Sequence, residues 1–395
     1  MRNRILFLHA GGPKTGSSAI QVFLAANAQA LRTLGFSYRT QEPTAIDENE
    51  GTSGNGLPLF GELSSTRSDT AVRSSIIREL LIGHFHDENS AAICSSENFS
   101  LLSEESWSFL RQIAAEEHID LVVCYYVRHL STFVSSSYDQ ALRHGFSHEW
   151  KAFLAMLDAW EHCKALEHLA QTFGKDVLRI LSYDACKGRL VESFLAVLGV
   201  AKHFDTDAIQ RGNRRIVNRS LTSMERGILR VINGATANQH SKRLSDALLA
   251  ANPNSRPEPL NYEEAEIRML EDKFGKQVEW INNNFFDGRE MIKIFDSGAQ
   301  VHAEGRQSCE EQLKAYKVAF ELMAEHAMNG RKIAINEIAD KLLAIDWENA
   351  GNPLLPEDFD PIGYLLCNRD LWISEVKPIL HYIQFGSLEG RIWKI

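Results

Sequence analysis

Four short apolar runs, each followed by a helical pattern, constrain the fold of this chain most strongly. The runs are RILFLHA at 4–10, AAICSSE at 91–97, IDLVVCYYVR at 119–128 and DVLRILSYD at 176–184. Short apolar runs that end at a glycine or at a polar residue are typical of buried strands. Strands that alternate with helices predict a parallel sheet with helices on both faces. The pattern therefore predicts an α/β fold.

Polar residues follow each predicted strand, and their position indicates where a ligand would bind. In parallel α/β sheets, ligands bind at the carboxyl ends of the strands. The candidates at these ends are the glycine-containing loop GGPKTGSS at 11–18, Glu97 in SSE, Arg128, and Tyr183 in SYD. We expect these groups to meet at one edge of the sheet.

The loop after the first strand resembles a phosphate-binding loop with a displaced lysine. Gly11 and Gly16 have the GxxxxG spacing of a nucleoside-triphosphate loop, but Ser17 stands where that motif has its lysine. One interpretation is a degraded triphosphate loop. The other is a loop that holds a monophosphate ester on backbone amides at a helix N-terminus, where the helix dipole also favours an anion. Thr15, Ser17 and Ser18 would add hydroxyl donors.

In the second interpretation Lys14 projects toward the bridge between the phosphate and the group that it carries. Such an arrangement suits the transfer of a sulfuryl group, since a loose transition state leaves the protein little covalent chemistry to perform. A lysine at the bridging oxygen would stabilise the charge of the departing phosphate, by ~3–4 kcal/mol for an electrostatic contribution of this kind. A sulfuryl group has fewer ionisable oxygens than a phosphoryl group and needs a metal ion less.

The sequence GGPKTGSSAIQVFLAAN resembles the 5′-phosphosulfate-binding loop of the PAPS-dependent sulfotransferases, and is most similar to bacterial members of that superfamily. The resemblance implies a P-loop-NTPase-like three-layer sandwich, with PAPS as the sulfuryl donor and PAP as its product. It also implies that the loop residues named above bind the donor.

Two further segments resemble the same superfamily. VVCYYVRHLSTFVSSSYDQA is similar to its 3′-phosphate-binding element, which implies this role for Arg128 and Ser136; Leu130 replaces the usual proline. LRILSYDACKGRLVESFLAVLGV resembles the strand and turn whose tyrosine approaches the adenine, which implies this role for Tyr183. Independently of the family, an arginine that ends a buried strand matches phosphate in a bidentate way.

A basic segment, RGNRRIVNRSL, follows at 211–221 of this otherwise acidic chain. In cytosolic sulfotransferases a basic loop late in the domain closes over the cofactor. Arg215 and Arg219 are the candidates that this comparison implies, although the segment does not reproduce the family's RKG motif. A solvated basic loop is the alternative.

The acceptor hydroxyl must lose a proton, and Glu97 is the candidate base. A glutamate at the carboxyl end of a buried strand is a costly placement unless it is used. Carbohydrate-directed branches of the superfamily commonly use glutamate. The alternatives are that Glu97 pairs with Lys14 or Arg128, or that His129 or His9 is the base.

Composition excludes several classes of protein. The net charge of -10 argues against a nucleic-acid binder. The six cysteines form no CxxC pair, and we expect free thiols. His84 and His86 lack a third ligand at a suitable spacing, so no metal site is predicted. With no apolar run of membrane-spanning length and no secretory leader, we expect a cytoplasmic protein, with a peripheral position at the inner membrane left open.

The C-terminal segment, FDPIGYLLCNRDLW followed by HYIQFGSLEGR, is similar to a short module of bacterial glycosyltransferases and related polysaccharide-modifying proteins. Its alternatives are a helical cap on the enzyme and a docking unit for polysaccharide-assembly proteins. The predicted division is a sulfotransferase domain at 1–296, a helical linker at 297–350 and a small helical module at 351–395. The polar, glycine-rich stretch 40–70 is predicted to be a mobile loop that takes part in acceptor binding.

Together these features predict transfer of a sulfuryl group from PAPS to a hydroxyl of a carbohydrate or glycolipid acceptor. A P-loop kinase that uses ATP and magnesium is one alternative, against which the displaced lysine argues. A non-catalytic nucleotide-binding or interaction protein of the same fold is the other.

Overall fold

The computed structural model describes the strand and helix framework of the chain. The described residues are 4–39, 54–66, 69–86, 89–205, 219–236, 241–253, 255, 260, 262–295, 316, 319, 345–349, 351–356, 358–368, 371 and 376–392. The strands are β1 (Arg4–His9), β2 (Phe36–Ser37), β3 (Ala91–Ser95), β4 (Ile119–Val127) and β5 (Leu178–Ser182). They form one parallel sheet in the order β2-β3-β1-β4-β5.

Helices separate and follow these strands. Their bounds are α1 (Ser17–Ala26), α2 (Ala28–Thr33), α3 (Leu57–Leu63), α4 (Thr70–Gly83), α5 (Glu104–Glu116), α6 (Leu130–Arg143), α7 (Trp150–Ala155), α8 (Glu161–Thr172), α9 (Tyr183–Cys186), α10 (Leu190–Val197), α11 (Ser223–Thr236), α12 (Ser241–Ala251), α13 (Glu264–Phe285), α14 (Pro361–Cys367) and α15 (Pro378–His381). No helix among the described residues is long and apolar enough to cross a lipid bilayer.

The chain divides into two compact units whose segments interleave along the sequence. The first unit comprises residues 1–137, 154–218 and 261–301, and the second comprises 138–153, 219–260 and 302–395. The predicted contiguous division at 296 and 350 does not follow these bounds. Because compactness alone does not test which segment acts as a functional domain, that division stays a prediction.

The sheet lies at the centre of the first unit with helices on both faces. The side chains of β4 alternate between the faces: Cys124 and Tyr126 pack in a core with residues of α1 and α10, which include Phe194. Tyr125 points to the opposite face and hydrogen-bonds His162 of α8, and α8 packs against α5. The predicted α/β class with a central parallel sheet in a three-layer arrangement is therefore confirmed.

The register of the parallel strands aligns their carboxyl ends at one edge. His9, the last residue of β1, lies opposite Ser95 of β3 and Cys124 of β4. Val127 of β4 lies opposite Ser182 of β5. The residues that follow these strands therefore meet at the same edge of the sheet, as the sequence predicted.

The stretch 54–63 departs from the predicted mobile loop, because it packs closely and includes α3. The Asn55 side chain donates to the Ile93 carbonyl at 2.9 Å and accepts from the Ser95 amide at 2.8 Å. The Gly56 amide also donates to the Ser95 carbonyl at 2.9 Å. These bonds satisfy the edge of β3 beyond the short pairing with β2, so the prediction is wrong for these residues. Residues 40–53 and 67–68 lie outside the described part of the chain.

The described secondary structure of the second unit is helical and includes the predicted C-terminal extension. Near its C-terminal end, Asp346 accepts hydrogen bonds from the backbone amides of Ile379 and Leu380 at the start of α15. Tyr364 of α14 is buried and lies 2.8 Å from Nδ1 of His381. A carboxylate at a helix N-terminus and a buried aromatic are ordinary stabilising contacts. The helical character of the C-terminal region is thus confirmed.

Candidate functional site

A tight loop joins β1 to α1 at the carboxyl edge of the sheet. Lys14 and Gly16 both have left-handed backbones, with φ of 64° and 76°. The Thr15 hydroxyl donates to the Gly12 carbonyl at 2.6 Å and closes the turn. A methyl group at Gly12 would lie 2.0 Å from the Tyr126 carbonyl oxygen, so the loop is seated against β4 in a way that only glycine permits.

The N-terminus of α1 has features that suit an anion. Its N-cap, Gly16, provides no side-chain cap, and the first turn has no acidic residue. Ser17 is 2% exposed, and its hydroxyl has no hydrogen-bond partner among the described residues. Buried hydroxyls are normally paired, so this one is available to hydrogen-bond a polar ligand or a water molecule. Amides at a helix N-terminus and the helix dipole both favour a negatively charged one.

Arg128 links the loop to the ends of β4 and β5. Its Nη1 donates to the Lys14 carbonyl at 2.9 Å, and its Nε donates to Oγ1 of Thr132 at 3.0 Å. Its guanidinium carbon lies 5.1 Å from the centre of the Tyr183 ring, within the range of a cation–π contact. The structure therefore brings three of the predicted residues together: Lys14, Arg128 and Tyr183.

Glu97 lies on the other side of the loop, at the start of the 3-10 turn Glu97–Leu101. It is half-buried, and burial raises the pKa of its carboxyl group while the nearby charge of Lys14 lowers it. Its Cα would lie 3.1 Å from a methyl group at Gly11, so the loop backbone packs on the glutamate backbone. A half-buried carboxyl beside a lysine at a strand end can exchange a proton or pair with the lysine.

Asp184 and His129 lie next to Arg128 and are linked to it through Thr132. The His129 amide donates to the Asp184 carboxylate at 2.7 Å, and the same carboxylate lies 3.4 Å from the Thr132 hydroxyl. Nδ1 of His129 accepts from the Lys293 amide at 3.3 Å. The imidazole is therefore engaged with the backbone of the segment that follows α13, and this contact gives His129 a structural role.

The other predicted donor-binding residues have different surroundings. Ser136 is half-buried on α6, one turn beyond Thr132 on the same helix face. Arg219 belongs to the second unit, where its guanidinium pairs with the buried Glu225 at 2.5 and 2.8 Å. This pair gives Arg219 a structural role. Arg215 lies outside the described residues.

The remaining histidine candidates are buried or peripheral. His9 is fully buried, and its Nδ1 lies 2.8 Å from the Ser95 hydroxyl; burial lowers its pKa to about 4. Burial also lowers the pKa of His84 to about 4, and Nδ1 of His86 lies 3.3 Å from Arg32. Among the described residues, no three His, Cys, Asp or Glu side chains group together as metal ligands.

Sequence reasoning missed two groups beside this site. Asp184 is the last residue of the SYD segment, and its position directly after a predicted strand could have identified it as a site residue. The Tyr125–His162 pair beneath the loop had no such signal, because α8 was not predicted and the partners are 37 residues apart.

The comparisons with known proteins add little to this geometry. No protein-family model matches the chain, and no curated protein is similar to it. Among solved structures, the chain is similar to a sulfotransferase from Alicyclobacillus acidocaldarius, with 11% sequence identity and a TM-score of 0.38. The match covers 72% of this chain and 96% of that one. A likeness this weak carries no argument about substrate or mechanism.

Proposed function

We propose that this protein is a sulfotransferase that moves a sulfuryl group from PAPS to a hydroxyl of a carbohydrate acceptor. The acceptor would be a bacterial surface polysaccharide or exopolysaccharide, or a precursor of one. The observation that carries the proposal is the buried hydroxyl of Ser17 without a partner among the described residues, at the uncapped N-terminus of α1. Lys14 and Arg128 add positive charge beside it.

The residues around this N-terminus fit the 5′ end of the donor. In the proposed complex, the amides and hydroxyls at 15–18 bind its 5′-phosphate, and Ser17 gains the partner that it lacks. Arg128 and Ser136 bind the 3′-phosphate, and the ring of Tyr183 lies near the adenine. PAPS, when bound, supplies the sulfuryl group on that 5′-phosphate.

Lys14 would stabilise the charge that develops on the departing phosphate. Its left-handed backbone directs it away from the regular path of α1, and Arg128 holds its carbonyl at 2.9 Å. These contacts fix the backbone of Lys14, and thus the point from which its side chain would reach the departing phosphate.

Glu97 would accept the proton of the acceptor hydroxyl. A general base works best when its pKa is close to the working pH. Burial moves the pKa of Glu97 in that direction, and the charge of Lys14 keeps the carboxylate accessible as the ionised form. The two residues would therefore act together on opposite ends of the transferred group.

The carbohydrate acceptor is inferred from the C-terminal segment. HYIQFGSLEGR resembles a module of bacterial glycosyltransferases and polysaccharide-modifying proteins. We propose that this segment contacts proteins of polysaccharide assembly, which would bring the enzyme to its acceptor.

Transfer of labelled sulfate from PAPS to cell-surface glycan fragments and lipid-linked sugars tests the proposal. We expect transfer by the natural protein, and a loss of about 10²–10³-fold in kcat for Lys14→Ala, as for removal of one oxyanion-stabilising donor. Lys175→Ala is the matched control, because Lys175 is exposed and precedes β5, at the opposite edge of the sheet. Native transfer by Lys14→Ala would contradict the role of the lysine.

Calorimetry separates the alternatives. Binding of PAP with no measurable affinity for ATP and magnesium supports the sulfotransferase. The reverse preference would support a kinase. Binding of PAP with no transfer to any acceptor in the screen would support a non-catalytic binding protein.

A further inference from the structure

We infer that His162, held by Tyr125, is a positioning residue that supports the donor-binding loop from within the core. The inference rests on the proposed function, since it concerns how that loop is kept ready for the donor. Neither residue would touch the reacting atoms. Both would act through the backbone of Gly12 and Pro13.

The imidazole of His162 lies directly beneath the loop. A methyl group at Gly12 would be 2.5 Å from Cε1 and 2.9 Å from Nδ1 of His162. The backbone of Pro13 is near enough to the ring to oppose the lowering of its pKa by burial. Pro13 immediately precedes Lys14, so the ring contacts the part of the loop that orients the lysine.

A hydrogen bond and aromatic packing hold the ring in place. The Tyr125 hydroxyl lies 2.9 Å from Nδ1 of His162, and both residues are fully buried. The rings of Phe133 and Trp160 approach the imidazole edge-on, with centroid distances of 4.9 and 6.0 Å. A buried side chain confined in this way has little rotational freedom.

The ring also remains uncharged beside the candidate anion site. Burial, and secondarily the charge of Arg128, lower the pKa of His162 to about 3. The imidazole therefore stays neutral throughout the physiological range and supports the loop without titrating. In the neutral ring, a tyrosine that donates to Nδ1 leaves the proton on Nε2.

Adjacent tyrosines on β4 provide a matched pair of variants. Tyr125→Phe removes the hydroxyl that holds His162. Tyr126→Phe removes the tyrosine hydroxyl on the opposite face of the sheet, where it lies 2.7 Å from Oγ of the half-buried Ser193 on α10. Each variant loses one hydrogen bond of a fully buried tyrosine, of similar length, although Ser193 is half-buried and His162 fully buried, so we expect decreases in melting temperature of similar size.

The two variants should differ in their affinity for PAP, measured by calorimetry well below their melting temperatures. We expect Tyr125→Phe to raise the dissociation constant about fivefold, which is ~1 kcal/mol. Tyr126→Phe should bind PAP like the natural protein. Equal affinities in all three proteins, or equal losses in both variants, would overturn the inference.

The outcome for the natural protein separates the inference from the proposed function. Absence of PAP binding by the natural protein would refute the function, and the inference with it. Binding by the natural protein with unchanged affinity in Tyr125→Phe would refute the inference alone. In a His162→Asn background, Tyr125→Phe should cause no further loss of affinity, because the tyrosine acts through the imidazole.

Discussion

Gly12→Ala is the most direct test of how the loop is seated on the sheet. The added methyl group would lie 2.0 Å from the carbonyl oxygen of Tyr126 and 2.5 Å from Cε1 of His162. Neither atom is at the end of a flexible side chain: the first belongs to the backbone of β4, and the second to a ring confined in the core. Relief of the overlap therefore requires the loop to move away from β4.

The structure allows an estimate of the stability that Gly12→Ala would lose. Overpacking in a well-packed core costs ~1–3 kcal/mol, and a clash with backbone belongs at the upper end, at ~3 kcal/mol. At ~2–4 °C per kcal/mol for a domain of about this size, we expect a melting temperature lower by ~6–12 °C in thermal unfolding followed by circular dichroism. PAP affinity should fall as well, since the displaced loop carries the donor-binding amides.

Gly61→Ala is the matched control for this substitution. Gly61 lies within α3, and a methyl group there would meet nothing within 4 Å. Alanine in place of a helical glycine stabilises by about 0.5–1 kcal/mol, so the control should melt slightly above the natural protein. A Gly12→Ala protein as stable as this control would refute the described seating of the loop.

Two further predictions concern charged groups. Burial raises the pKa of Glu97 from its ordinary value of 4.5, so the folded protein retains a proton that the unfolded chain loses above that value. The free energy of unfolding should therefore fall as the pH rises through the window above 4.5. In chemical unfolding at a series of pH values, Glu97→Gln should remove this dependence of the free energy on pH. An unchanged dependence in Glu97→Gln would contradict the burial of Glu97. Arg219→Ala leaves the fully buried Glu225 without its ion-pair partner, with the Thr222 amide still donating to it, and should cost ~3 kcal/mol in chemical unfolding. PAP affinity should stay unchanged, and weaker binding of PAP would indicate that Arg219 takes part in donor binding.

Local signals in the sequence were sufficient for four strands of the described sheet and for the edge at which the candidate site lies, but not for the short β2. Each of the four predicted runs contains a strand, and each strand ends close to the glycine or the polar residue at the end of its run. The spacing of apolar residues and the residues that end a run are local properties, so a single sequence is enough to recognise them. The proximity of Lys14, Arg128 and Tyr183 follows from parallel strands ending at one edge.

Packing across the sheet could not be predicted in the same way. The support of the loop depends on Tyr125 pointing to one face and on a helix 37 residues later that places His162 there. Asn55 satisfies the edge of β3 with its side chain, although its glycine-rich surroundings predicted a mobile loop. Composition reports the flexibility of a segment only when nothing packs against it.

The interleaved units show the same limit at a larger scale. Asp139 and Arg226 form a buried ion pair at 2.7 Å within the second unit, although 87 residues separate them. Charged residues are common throughout the chain, and nothing in their spacing identifies this pair. A prediction of contiguous segments cannot anticipate a unit that is assembled from distant stretches.

A crystal structure of the protein with PAP tests the central claim most directly. We predict that the 5′-phosphate lies on the amides of residues 15–18, within hydrogen-bonding distance of the Ser17 hydroxyl, with Nζ of Lys14 directed at the phosphate. A nucleotide bound elsewhere, or a lysine turned away from the phosphate, would contradict the account.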